Sequence, residues 1–126
     1  MSEKYNISDL INMDPLQLQN YLSSAYTISI PPQIETPDDM TKAAKLLSRA
    51  TSYYSFFENM RIRARIEKRM MKRAKCDTQL IEDMLMREEI FEVHAKTMNQ
   101  AYTTISRMIT VKQQVNFELR MTGALP

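Results

Sequence analysis

The sequence of 126 residues has few of the residues that turns, disulfide bonds and catalytic centres need. It contains one glycine, one cysteine, one histidine and no tryptophan. A lone cysteine excludes an intramolecular disulfide, and with one histidine it cannot build a common zinc site within one chain. A lone glycine leaves no Gly-rich loop of the Walker or Rossmann type. We therefore expect no nucleotide hydrolysis, no metal site and no cofactor.

Long apolar runs are also missing. No stretch approaches the roughly 18 apolar residues that indicate a transmembrane helix. The first ten residues, MSEKYNISDL, have no apolar core of the signal-peptide type. We expect a soluble, cytoplasmic protein.

The abundant residues favour helix. Eleven methionines accompany many Ala, Leu, Ile, Glu, Lys, Arg and Gln residues, most of which are good helix formers. An all-α fold is predicted. A chain of this length in an extended helical form buries little surface by itself, so we also expect a homo-oligomer.

Residues 1–35 are predicted to form a short N-terminal helix and an extended arm. Asp14 and Pro15 are typical of an N-cap and a first helical residue, and Ser8 could cap an earlier turn. The apolar side chains expected to dock this helix are Leu16, Leu18, Leu22 and Ala25. After Tyr26, the segment TISIPPQIETP should be extended, because Pro31 and Pro32 stop a helix.

Residues 36–126 are predicted to form a long antiparallel helical hairpin with coiled-coil packing, its arms at about 37–75 and 78–122. Thr36 and Pro37, followed by two aspartates, form a strong helix start. Residues 76–79 form the interruption between the arms, and Gly123 stands where a helix-ending residue belongs. The first seam is Ala43, Leu46, Ala50, Tyr53, Phe57, Met60, Ala64, Glu67, Met71 and Ala74. The second seam repeats every seven residues at Met84, Phe91, Met98, Ile105, Lys112 and Leu119.

The charge distribution points to the same hairpin. Residues 61–75 contain eight Lys or Arg and one Glu, a net charge of +7, whereas the rest of the chain has a net charge of −5. A fold back near Asp77 sets the basic run beside an acidic cluster at the start of the second arm. That cluster consists of Glu82, Asp83, Glu88, Glu89 and Glu92.

The basic run follows four aromatics in the stretch YYSFFENMRIRARIEKRMMKRAK, residues 53–75. On a helical wheel, Arg61, Arg65, Lys68, Lys72 and Lys75 share an arc of about 80°. Such a ladder suits a single-stranded nucleic-acid backbone, with an aromatic ring to stack a base. The candidate contact residues are Tyr54, Arg61, Arg65, Lys68, Arg69, Lys72 and Lys75. The alternative is a solvated face that the acidic cluster neutralises.

The other candidate sites have weaker signals. Ile62, Ile66 and Met70 form a second apolar face of the first arm, which needs another chain or the N-terminal segment as its neighbour. His94 fits a packed position in the heptad pattern better than a base or ligand, and Cys76 is more typical of an inert thiol than of a reactive one. The acidic cluster lacks the Glu-x-x-His pattern of dimetal helical sites.

The order of these features resembles that of the UvsY-type recombination mediator proteins of tailed phages. The resemblance covers about residues 40–120, with YYSFFENMRIRARIEKRMMKR in the first arm and AYTTISRMITVKQQ in the second. It implies an oligomeric protein of the host cytoplasm that binds single-stranded DNA and helps a recombinase load onto strands coated by single-strand-binding protein. Only the basic, aromatic stripe can be transferred from the family, as a contact surface.

We therefore expect a non-enzymatic accessory protein that binds single-stranded nucleic acid, with DNA favoured over RNA. The partners that the resemblance implies are a recombinase and a single-strand-binding protein. The alternative is a helical protein-interaction module, either an assembly adaptor or an inhibitor of a larger host or viral enzyme. The second apolar face and the arm around Pro31 and Pro32 favour that alternative.

Overall fold

The computed structural model describes residues 5–123 and contains four α-helices and no strand within them. These are α1 (Ile7–Asn12), α2 (Pro15–Ala25), α3 (Pro37–Arg73) and α4 (Thr78–Met121). Helices α3 and α4 pack against each other, so the predicted all-α antiparallel hairpin is confirmed. The arm between α2 and α3 contains no helix. Residues 1–4 and 124–126, which belong to the two predicted segments, lie outside the described residues.

Side-chain caps begin the two N-terminal helices. Asp14 caps α2 as predicted, since its Oδ2 accepts a hydrogen bond from the Gln17 backbone N–H at 3.4 Å. The suggestion that Ser8 caps an earlier turn is wrong. The cap of α1 is Asn6, whose Oδ1 accepts from the Asp9 N–H at 2.8 Å, while the Asp9 carboxylate accepts from the Asn6 N–H at 3.2 Å. This reciprocal arrangement satisfies two helix-end donors and leaves Ser8 inside the helix.

The start of α3 has the same reciprocal arrangement. The hydroxyl of Thr36 accepts from the Asp39 N–H at 3.0 Å, and the Asp39 carboxylate accepts from the N–H groups of Glu35 and Thr36. These backbone donors, that of Glu35 first, lower the pKa of Asp39. The predicted start signal at residues 36–39 is therefore confirmed.

The hairpin turn lies at the predicted interruption, with a lysine where glycine is usual. Lys75 has a φ of 55°, the left-handed conformation that ends many helices. The backbone N–H of Cys76 donates to the Met71 carbonyl at 3.0 Å, and that of Lys75 donates to the Lys72 carbonyl at 3.2 Å. This Schellman-type pair of bonds ends α3 without glycine or proline.

Residues 5–27 and Ser52–Thr97 form one compact unit, here called the first unit. Within it, α1 and α2 pack on the paired segments of α3 and α4. Two residues of the docking helix, Leu18 and Leu22, are fully buried, but Leu16 is 70% exposed, so its predicted docking role is wrong. The other buried side chains of this unit include Leu10, Phe57, Met60, Ala64, Met84, Phe91 and His94.

Ile28–Thr51 and residues 98–123 form the second unit. Its core gathers Ile34 from the arm, Ala43 from α3 and Ile105 from α4. The second seam is buried at its first four positions, but Lys112 is half-buried and Leu119 is 37% exposed. Helix α4 has 44 residues and α3 has 37, so the last turns of α4 have no α3 residues opposite them. The heptad pattern of α4 therefore continues past the point where α3 begins.

Candidate nucleic-acid interface

The aromatic stretch before the basic run is mainly core, as its helical phase predicts. In the first unit, Tyr53, Phe56 and Phe57 of α3 surround Tyr26, with ring centroids 5.0–5.3 Å from the Tyr26 ring. Tyr26 and Phe56 are stacked, with 16° between their planes. Tyr54 points elsewhere and is 38% exposed. Tyr54 is thus the one of the four α3 aromatics available at the surface.

Arg61, the first cation of the predicted ladder, forms an ion pair within α3. The Arg61 guanidinium donates to the Glu58 carboxylate, with Nη2 and Oε2 2.9 Å apart, and its side chain is only 18% exposed. The hydrogen bond from Arg61 to Glu58 raises the pKa of the arginine. The sequence contains the signal for this pair, since Glu58 and Arg61 are three residues apart on one helix. Arg61 is therefore a poor candidate for phosphate contact.

Glu88 of the acidic cluster forms ion pairs with two further cations of the ladder. The Glu88 carboxylate accepts from Lys68 Nζ at 2.6 Å and from Arg65 Nε at 3.2 Å. Burial raises the pKa of Glu88, but the hydrogen bonds from Lys68 and Arg65 outweigh it, so the net pKa is lowered. The Lys68 side chain is only 16% exposed, whereas that of Arg65 is 46% exposed.

The remaining cations of the predicted set are open. Arg69, Lys72 and Lys75 are all exposed and belong to no ion pair within residues 5–123. The rest of the acidic cluster makes no ion pair with the ladder within the described chain: Glu82, Glu89 and Glu92 are exposed, and Asp83 accepts a hydrogen bond from Gln79. Glu92 contributes only an attraction at longer range that helps to raise the pKa of Arg61. We call Arg65, Arg69, Lys72 and Lys75 the open part of the ladder. Arg69 lies beside the predicted arc, at about 80° on the helical wheel, and Lys75 lies in the hairpin turn.

His94 occupies a packed position, as its heptad phase indicates. It is 7% exposed, its ring lies 5.3 Å from the Phe57 ring, and its Nε2 is hydrogen-bonded to Gln19 Oε1 at 3.1 Å. Burial lowers the pKa of His94. Since the neutral imidazole is bonded to a neutral amide within this core, the residue joins α2 to α4 and has no reacting group beside it.

This burial predicts a pH-dependent stability. The unfolded chain binds a proton at His94 near pH 6.5, whereas the folded chain binds it only at lower pH, so the free energy of unfolding falls as the pH drops below about 6.5. Thermal unfolding of the wild type and of His94→Gln across this range measures the effect. We expect the variant to show a smaller loss, and equal losses in both proteins would contradict the assignment.

The first unit contains an open cleft of about 870 Å³ beside the aromatic cluster. Tyr53 and Phe56 form one wall, and the start of α1, including Asp9, forms another. The Asp9 carboxylate is already used in the α1 cap. Ser8 and Ser52 also line the cleft, but neither hydroxyl is hydrogen-bonded to Asp9 within residues 5–123. The cleft therefore supports no catalytic assignment.

Within residues 5–123, no cluster of His, Cys, Asp and Glu is suited to hold a metal ion, and no helix has the length and apolarity needed to cross a bilayer. No protein-family model, curated protein or solved structure matches the chain.

Proposed function

We propose that the chain is a non-enzymatic accessory protein that binds single-stranded nucleic acid along α3. The observation that supports this proposal most is the open part of the ladder: Arg69, Lys72 and Lys75 are exposed and lack an acidic partner within residues 5–123. Arg65 extends this set because almost half of its side chain is exposed despite its bond to Glu88.

The spacing of these groups favours a flexible strand. Arg65 and Lys72 are about 10.5 Å apart along the axis of α3, and Lys75 follows in the hairpin turn. Successive phosphates of a single strand can meet successive cations over such a distance. Tyr54 lies on the same side of α3 as Lys72 and offers an exposed ring on which a base can stack. Arginine adds planar contacts to phosphate and base that lysine does not make.

Within this class, we propose DNA as the ligand and recombination mediation as the role, on the basis of the UvsY-type order of features. In that role the protein would help a recombinase load onto a strand covered by single-strand-binding protein. Several copies in a homo-oligomer would multiply the short ladders and give avidity that one ladder of four cations lacks.

Fluorescence anisotropy with a labelled single-stranded oligonucleotide over a salt series tests the binding. We expect Arg69→Glu combined with Lys72→Glu to weaken binding at least about tenfold at low salt. The slope of log K against log salt should fall by roughly 1.4, because two phosphate contacts to a single strand are lost.

The matched control is Lys45→Glu combined with Arg49→Glu. These residues lie on the same helix, are exposed and have no ion pair within the described chain, and their reversal changes the net charge equally. The control should keep the wild-type salt slope. Absence of binding by the wild type at low salt, or equal losses in the two double variants, would overturn the proposal.

A protein-interaction module is the second candidate, because an apolar face of α3 is exposed. Ile62, Ile66 and Met70 are 45%, 50% and 57% exposed, so the described part of the N-terminal segment, from residue 5 onward, does not cover them. A pull-down that survives nuclease treatment and high salt favours this candidate, since phosphate contacts weaken in salt and apolar contacts do not.

A further inference from the structure

The exposed apolar face of α3 is a regular ridge. Ile62, Ile66 and Met70 follow one another at intervals of four residues, so they form a line about 12 Å long on one side of the helix. The buried residues Met60 and Ala64 lie on the opposite side, toward the core. We call Ile62, Ile66 and Met70 the α3 ridge. Exposed apolar groups arranged in a line, in a protein of this size, indicate a contact surface.

Basic residues border this ridge. Taking Arg61 as zero on the helical wheel, Arg63 lies at about 200° and Arg73 at about 120°, while the ridge covers about 100° to 180°. Both arginines are exposed and have no ion pair within residues 5–123. The surface that covers the ridge therefore has to be apolar at its centre and is favoured if it is acidic at its edge.

The first unit contains a surface of that kind on α4. An apolar groove of about 330 Å³ is lined by Gln19 of α2 and by Met86, Glu89, Ile90 and Val93 of α4. Met86 and Val93 are 48% and 57% exposed. We call these five residues the α4 groove. The bond from His94 to Gln19 holds the α2 wall in place, so the groove is formed before anything binds in it.

Acidic residues border the groove as arginines border the ridge. Glu89 lies in the groove wall, and Glu82 lies seven residues earlier on the same side of α4. Both are exposed and make no ion pair within the described chain. Met86 and Val93 are separated by about 10.5 Å along the helix, close to the length of the α3 ridge. Lys96, seven residues after Glu89, is an exposed cation at the Val93 end of the same side. The two surfaces thus match in length and polarity, and in charge at the end marked by Glu82 and Glu89.

The ridge and the groove cannot meet within one chain. Each lies on the side of its helix that faces away from the α3–α4 contact, since the buried residues Ala64 and Met84 occupy the opposite sides. We propose that the α3 ridge of one copy docks in the α4 groove of a second copy. Ridge against ridge would place arginines beside arginines, and groove against groove would place glutamates beside glutamates, so the contact is heterologous.

A heterologous contact repeats from copy to copy. After the first contact one chain keeps a free groove and the other keeps a free ridge, so the assembly grows into a ring or an open filament and does not stop at a two-fold dimer. The proposal does not depend on nucleic acid and goes beyond the proposed function. Arg63 and Arg73, which it uses, are not among the residues proposed to contact the strand.

Sedimentation equilibrium of the full chain over a concentration series, without nucleic acid, tests the contact. We expect the wild type to associate and Ile66→Asp to weaken association by about tenfold or more, because it places a charge in the apolar centre. The charge reversals Arg63→Glu and Glu89→Arg should each weaken association by about threefold or more. The control is Val111→Asp, a 58% exposed apolar residue on α4 outside the ridge and the groove, which should leave association unchanged.

The two charge reversals combined in one chain make the decisive variant. Arg63→Glu with Glu89→Arg restores opposite charges across a ridge-to-groove contact, so we expect association to return toward the wild-type level. An equimolar mixture of the two single variants should recover in the same way. This recovery also shows that the single variants are folded.

Several results would overturn the inference. A wild type that stays monomeric at every concentration would show that a second copy does not cover the ridge. A combined variant as weak as the single ones would exclude pairing of the ridge with the groove, and equal losses for Val111→Asp and Ile66→Asp would exclude this location. Association that is intact in a chain unable to bind the oligonucleotide would refute the proposed function alone.

Discussion

Replacing Phe57 by alanine is expected to lower the free energy of unfolding by about 3–5 kcal/mol. Phe57 is fully buried at the centre of the first unit. Its ring lies 5.2 Å from the Tyr26 ring, 5.5 Å from Phe56 and 5.3 Å from His94. Removing it leaves a cavity where α2, α3 and α4 meet and deletes aromatic contacts that contribute beyond their buried area. Urea unfolding followed by circular dichroism measures the loss.

The matched control for this change is Phe117→Ala. Phe117 is also a phenylalanine in a long helix, but it is 62% exposed. We expect its replacement to change the free energy of unfolding by no more than about 0.5 kcal/mol. Similar losses in the two variants would contradict the assignment of the aromatic cluster as the core of the first unit.

Replacing Glu88 by glutamine is expected to change stability and nucleic-acid affinity in opposite directions. The Glu88 side chain is 12% exposed and is the shared partner of Lys68 and Arg65. Loss of its charge leaves the largely buried Lys68 ammonium without an anion, which costs about 1–3 kcal/mol of folding stability. The same change releases Lys68 and removes the anion that competes for Arg65, so affinity for a single-stranded oligonucleotide should rise. The salt slope should steepen by up to about 0.7, because one phosphate contact is added.

The pH dependence provides a second test of the same pair. The pKa of Glu88 is lowered from 4.5 in the folded chain, so its contribution to stability is present above about pH 4.5 and is lost as the pH falls through the folded value. The difference between wild type and Glu88→Gln should therefore shrink at acid pH. Glu118→Gln, an exposed carboxylate on the same helix, should leave both stability and affinity unchanged. A Glu88→Gln chain that binds the oligonucleotide no better than wild type would show that Glu88 does not mask the ladder.

The long helices and the hairpin can be predicted from the sequence because the helix-cap residues and the heptad spacing of apolar residues indicate the same helices. Asp14 and Thr36 mark helix starts by cap chemistry, and the spacing of Ala43, Ala50 and Phe57 marks a buried seam that needs no tertiary information. Gly123 marks the end of α4, where its φ is 78°. The turn at Lys75 was predictable only as an interruption, since a lysine in the left-handed conformation has no sequence signal.

Parts of the candidate interface depend on tertiary contacts that the sequence does not encode locally. The acidic cluster was expected beside the basic run, but only the register of α3 against α4 determines that Glu88 reaches Lys68 and that Glu82, Glu89 and Glu92 do not. Tyr26 follows the last residue of α2, and nothing in its neighbourhood indicates that it stacks on Phe56. Leu16 has the hydrophobicity of a docking residue, but its position on α2 turns it away from the core.

The central claim, that this chain assembles and binds a single strand through α3, is tested most directly by native mass spectrometry with and without a single-stranded oligonucleotide. We predict particles whose mass is a multiple of the 14.8 kDa chain, and an added oligonucleotide mass that is lost when Arg69 and Lys72 are both reversed to glutamate. A single chain of unchanged mass at low salt, in the presence of excess oligonucleotide, would contradict both parts of the claim.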